Sequence, residues 1–343
     1  MEIFSEAKAN FGYFVARNIL ERLAPKVNLK YKDSVTLETA KEFEVNNSSF
    51  DELADIYYSV VLFNHRNAEE AIESTINLSQ QLINLGDFRS SKYYLSKFVP
   101  RYLSGIDSYR QYYYLARREE KFAWIADYEI GYKDELNHLS SAKKFLENIP
   151  HDLWRNEERS LDSTIMHFAG RAYFGLDNQG FHRGGYIHNA VGYFNYDLEK
   201  YRDLRENGNP NPAGEGFNHA WLARCYMNLE DWNTSLRELD TAGVLFDEVS
   251  ESSKSGLRAH FNFLKGLYEL RSANGSVGES IHYFSEAARI WEDLARYPFG
   301  AASAHLGLAK TYWKWHKPID AVRHLKVSVQ TNPYVLLRGV PGG

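Results

Sequence analysis

The chain has 343 residues, 44% hydrophobic and 25% charged, with nine prolines; this is ordinary globular composition, long enough for a large core or a stacked array. A formal charge of −5 and an isoelectric point near 6.2 give no general attraction for nucleic acid or an anionic membrane. The single cysteine, Cys225, excludes an internal disulfide framework and any all-cysteine metal site. The opening residues, Met1 to Glu6, lack the basic and apolar regions of a secretory leader. No apolar run approaches the roughly 18 residues that a membrane span requires. A soluble, cytoplasmic protein is expected.

Taken in order, residues 1–24 repeat apolar side chains at three and four (Phe4, Ala7, Phe11, Phe14, Val15, Ile19, Leu23), which predicts a helix ended by Pro25. Residues 26–38 alternate apolar and polar, so a small extended or β element is expected there. Helix resumes at Phe50 and runs to Phe63, with Ser49 and Glu52 spaced as a capping box. Residues 1–66 together read as an N-terminal helical cap.

From residue 67 helix pairs dominate. Leu85-Gly86-Asp87-Phe88 marks a corner, with Leu78-Ser79, Leu82, Ser91, Leu95 and Phe98 on the facing sides and Pro100 after them. A second pair spans Asp107 to Pro150, with Ile125-Ala126, Ala142 and Phe145 at its seam. A third carries Ala169-Gly170 and Tyr173 on its first helix, then a second helix from Tyr186 to Leu204. The fourth shows Leu222-Ala223, Tyr226, Trp232, Ser235, Leu239 and Ala242. The fifth, Gly256 to Trp291, keeps Gly266, Ser280, Phe284 and Ala287, with its register interrupted at residues 274–278. The sixth, Ala302 to Pro333, carries His305, Leu308-Ala309, Tyr312, Ala321, Leu325 and Pro333.

Those last spacings follow the pattern W-x2-L-G-x2-Y…A-x3-F…P, with His for Trp, Ala for Gly and Leu for Phe. The region resembles a tetratricopeptide repeat (TPR). Small residues such as Ala309 and Ala321 are needed where two helix backbones cross closely. The likeness covers the C-terminal part well and the rest loosely. Repeat starts at 163 and 216 lie 53 apart, against a period of about 34; the excess sits in loops 177–185 and 207–214. Starts near 72, 119 and 163 lie 47 and 44 apart, so the N-terminal half reads as divergent TPR or another helical hairpin. The expected architecture is an all-α solenoid of about six TPR-like hairpins over 67–333, followed by a short tail, 334–343.

Nothing in the sequence supplies a Walker loop, GxGxxG, HExxH, CxxC, GxSxG or an EF-hand loop. Neither a cofactor nor a metal is expected. Cys225 reads as a small buried thiol. The local sequence 181–188 places His182, Arg183 and His188 beside glycines, either as an anion site at the start of the next helix or as a plain inter-helix loop. A metal there would find no carboxylate or thiol at ligand spacing.

In the TPR family the residue after the small slot of the first helix often faces the concave groove. Here those residues are Arg171, Arg224 and Lys310. They are either groove cations or solvated polar positions. His167, Phe174, Trp313 and Lys314 fall on neighbouring groove slots and would add stacking and anion contacts. The resemblance therefore implies a non-enzymatic scaffold or adaptor whose groove takes a peptide or protein, one of acidic character, with neither nucleic acid nor membrane as partner. The set needed for a full Lys-Asn carboxylate clamp is missing. Two alternatives stand beside it: a sensor that switches a partner on ligand binding, and an enzyme with its site in the groove or the 177–188 loop.

The last hairpin is expected to leave Leu325, Val329, Val335 and Leu336 as apolar surface. The tail packing back, a partner or second copy at that end, or a longer parent chain would each resolve it.

Overall fold

A computed structural model describes residues 36–45, 50–61, 67–178, 185–249, 251–293 and 298–332. Its described part is all-α, with fourteen helices in repeat-like packing and no strand among the described residues. Two compact units divide it, Met1–Ile165 and Met166–Gly343. The first unit holds α1 (Leu37–Val45), α2 (Phe50–Ser59), α3 (Ala68–Asn84), α4 (Phe88–Leu103), α5 (Ser108–Tyr128) and α6 (Tyr132–Glu147). Helix α7 (Asn156–Asn178) begins in it. The second unit continues with α8 (Gly185–Glu206), α9 (Pro212–Asn228), α10 (Trp232–Asp247), α11 (Glu251–Arg271), α12 (Val277–Asp293), α13 (Pro298–Lys314) and α14 (Pro318–Thr331). Among the described residues no helix is long and apolar enough to cross a membrane.

Helix starts are set by short polar side chains that accept from orphan N–H groups. Asn67 caps α3 through the Glu70 amide, Asp87 caps α4 through Ser90, and Asp231 caps α10 through Thr234. The corners share one closing bond. The Asp87, Gly131, Asp231 and Lys317 amides donate back to the Leu82, Ala126, Tyr226 and Tyr312 carbonyls. These are Schellman closures, which need a left-handed residue at the corner. Gly86 supplies it at φ +78°, but Ile130, Glu230 and His316 adopt φ of 63°, 59° and 55° without being glycine.

The seams are as tight as the small residues require. Ala309 and Ala321 are 6% and 4% exposed. Serines expected only to be small also bond across the seams. Ser235 Oγ donates to the Ala223 carbonyl at 3.0 Å, Ser280 to Gly266 at 3.1 Å and Ser328 to Ala302 at 2.7 Å; Ser91 and Ser79 pair likewise.

In the second unit aromatic rings lie on bare backbone. A Cβ on Gly170 would come within 2.7 Å of Phe194, and one on Gly216 within 2.6 Å of Phe246. Phe284 is met from two helices, at 2.9 Å by a Cβ on Gly266 and at 2.5 Å by one on Gly307.

Several sequence expectations shift. Pro100 lies inside α4 rather than after it. Leu37 and Glu38, the end of the expected extended stretch, form the first turn of α1, and residues 26–35 lie outside the described residues. So do residues 1–24, Ser49, Phe63 and the tail from Pro333 onward. Phe145 is only half-buried and Leu146 fills the seam. The interruption at 274–278 leaves the fifth hairpin intact, because Gly275 turns against the Glu269 carbonyl where a Cβ would collide. Leu325 is exposed and Val329 half-buried on α14, while Val335 and Leu336 lie outside the described residues.

The ring contacts are testable. Gly307→Ala should destabilise the second unit by about 1–3 kcal/mol through overpacking against Phe284. Gly192→Ala, at an exposed position of α8 with open space around it, should be neutral or stabilising by up to about 1 kcal/mol. Urea melts of both variants check the pair; equal melting would remove the ring contact as a constraint.

Candidate functional site

The second unit stacks its first helices side by side, α9 on α11 and α11 on α13. At Trp221 of α9 several side chains converge. The Arg224 guanidinium carbon lies 3.9 Å from the Trp221 ring centroid and 4.8 Å from that of Phe174. The Arg171 guanidinium, from α7, lies 5.2 Å from Trp221 and 4.7 Å from Phe168. The indole also stacks on Phe194, at 5.9 Å and 20° between planes. A planar, weakly hydrated guanidinium can settle over such rings where a lysine ammonium would resist dehydration. That accounts for Arg224 being only 7% exposed.

Two imidazoles complete the cluster. His167 Nδ1 lies 2.8 Å from Asn218 Oδ1, and Asn218 Nδ2 donates to Asp197 Oδ2 at 2.7 Å. A carboxylate only accepts, so the Asn218 amide nitrogen faces Asp197 and its oxygen is left to accept. His167 must then carry its proton on Nδ1, with a lone pair on Nε2. Burial, then the charge of Arg171, brings its pKa down to about 4, against the opposing Asn218 bond. His260, on α11, is tilted against Phe217 at 5.2 Å between centroids. Its Nε2 is sealed from solvent with no hydrogen-bond partner in the structure. Burial, then the charges of Arg224, Arg171 and His167, brings this imidazole down to about 3.

The structure thus brings Arg171, Arg224, His167 and Phe174 together and separates Lys310 from them. Lys310 of α13 is half-buried, and its pKa is lowered by burial and then by the charge of Arg271. Arg271 is itself lowered by burial and donates to Asn228 Oδ1 at 2.9 Å. Trp313 is 68% exposed, and Lys314 Nζ donates to the Leu270 carbonyl at 2.7 Å. His188 is exposed on α8, while His182 and Arg183 lie outside the described residues. Cys225 is buried and its thiol pushed up by burial, which suits packing rather than nucleophilic chemistry.

Sequence reasoning missed Trp221, Asn218, Asp197 and His260. An aromatic at helical spacing reads as core, and the Asp197–Asn218–His167 relay joins three separate helices. The usable signal was His260, six residues before the small Gly266 and polar where the first helix faces its neighbours.

No protein-family model matches the sequence, and no curated protein matches it. Among solved structures, the chain is similar to that titled as a Rap protein complexed with competence and sporulation factor. The TM-score is 0.64 at 13% identity, over 97% of this chain and 84% of that one. The likeness is one of fold. An all-α helical-repeat architecture is common to both.

The buried imidazoles set a pH dependence. Both sit below the unfolded value of roughly 6.5, so the unfolded chain binds protons that the folded chain refuses. Stability should be full above about pH 6.5 and fall as pH drops toward the lowered values. Melting temperatures of native protein and His260→Phe between pH 7 and 5 check this. The variant should lose less; a parallel decline would clear His260 as a cause.

Proposed function

We propose that the protein is a non-enzymatic helical-repeat regulator that binds a peptide, or a peptide-like segment of a partner protein, along the first-helix face of residues 166–343. The observation carrying this reading is the convergence of Arg171 and Arg224 on Trp221, with Phe174 and His260 beside them. Rigid aromatics and arginines are the side chains that dominate recognition surfaces. The fold likeness to a protein solved with a bound factor supports it. Two guanidiniums at one ring favour an acidic ligand, and a regulator would use occupancy of this face to alter its affinity for a second partner.

A catalytic reading is less favoured. General acid–base work wants a group that titrates near the working pH, whereas His167 and His260 sit at about 4 and about 3 and the Cys225 thiol is pushed up.

Selection from a random peptide display library against the full chain tests the proposal. Enriched peptides should be rich in Asp and Glu and lose roughly thirtyfold or more in affinity for Trp221→Ala, the scale of a central aromatic anchor. Trp221→Phe controls for folding and should retain part of the affinity. A library that yields no binder, or binders indifferent to Trp221, sinks the reading.

A further inference from the structure

Two imidazoles tie the last hairpin together. His305 Nδ1, on α13, lies 3.0 Å from His324 Nδ1, on α14. The ring centres are 5.2 Å apart and the planes 21° apart, so the rings meet edge to edge, nitrogen facing nitrogen. His305 Nε2 lies 2.9 Å from Glu292 Oε1 of α12. A carboxylate only accepts, so that nitrogen carries a proton, and neutral His305 keeps its lone pair on Nδ1. His324 then donates from its own Nδ1. The His324 ring also lies parallel to Tyr312 of α13, with 4° between planes. Besides His305, the charges acting on His324 are Arg323 and Asp320 of its own helix, which bridge each other at 3.3 Å.

The fourth hairpin supplies the contrast. His219 stands three and four residues before Leu222-Ala223, as His305 does before Leu308-Ala309. Each imidazole meets a residue 19 positions further on, but for His219 that residue is Glu238, at 2.6 Å. A proton added to His219 turns its contact into an ion pair. The His305–His324 bond instead needs a lone pair on one of the two facing nitrogens. One added proton leaves such a lone pair, once His324 moves its own proton to Nε2. Two added protons leave none and set two cations nitrogen to nitrogen.

We infer that the His305–His324 contact is a pH switch in the last hairpin: it ties α14 to α13 while at most one ring is charged, and it parts them when both are. His324 is the ring that resists the second proton. Burial, then the charge of His305 and then that of Arg323 hold it below its ordinary value, against the pull of Asp320. The folded chain thus refuses a proton that the unfolded chain takes up. The contact's stabilisation is whole above about pH 6.5 and is lost as pH falls toward the lowered value. The switch stands apart from the Trp221 cluster and holds whether or not that cluster takes a peptide.

The imidazole Cε1–H resonances of the native full chain are followed by NMR from about pH 8 to about pH 4.5. His324 is assigned by its loss in His324→Gln, and His305 by its loss in His305→Gln. The two rings should titrate in two steps about one pH unit or more apart. Between pH 7 and 5, amide protection factors in α13 and α14 should fall about tenfold or more further in native protein than in two variants. His324→Glu rebuilds the pairing of the fourth hairpin, and His324→Gln bonds His305 without taking a charge. The acid response of His167 and His260 is common to all three proteins and cancels. Where one variant does not fold, the other carries the comparison. Rings that titrate together in one step, or protection lost alike in native protein and folded variant, overturn the inference.

Discussion

Aromatic rings pressed onto glycine backbone set the helix spacing on which the second unit depends. At Gly170, Gly216, Gly266 and Gly307 a single added methyl would fall within 2.5–2.9 Å of a phenylalanine ring. Dispersion contacts are individually weak but steep in distance, so these rings hold their helices only while the backbone stays bare. Arg171 directly follows Gly170 in sequence. Its direction is thereby tied to the register of that contact with Phe194.

The cluster at Trp221 adds a second layer of constraint. Asp197 and Asn218 are fully buried, and together they orient His167. The same low dielectric that depresses both imidazoles strengthens any interaction the guanidiniums make there. The first unit has its own buried charge cluster. Arg110 reaches Glu69, Glu157 and Glu158 at 2.9, 3.1 and 3.1 Å, which balances the cation within the fold.

Much of the architecture was legible because hairpins announce themselves locally. Caps such as Asp87 and Asp231, and small residues such as Ala223 and Ala321, mark starts and crossings within a few residues. The left-handed corners at Ile130, Glu230 and His316 were not legible, since tertiary packing imposes a conformation those residues do not favour alone. Pro100 misled for a related reason: a helix held by its neighbours can carry a proline near its end. For the candidate site, the recurring slot picked out Arg171 and Arg224, which the structure sets over one ring. Lys310 at the same slot meets Arg271 instead, because what surrounds a slot depends on the neighbouring hairpin.

Phe284 belongs to two seams at once, resting on Gly266 of its own hairpin and Gly307 of the next. Neither α11–α12 nor α13–α14 can open without stripping that ring from the other. In arrays where each hairpin touches only its neighbours, local opening usually frays from one end. Here the shared ring welds two hairpins into one cooperative unit, so the amides of both should exchange with solvent together. The chain's C-terminal hairpin would then be no more prone to fraying than the one before it.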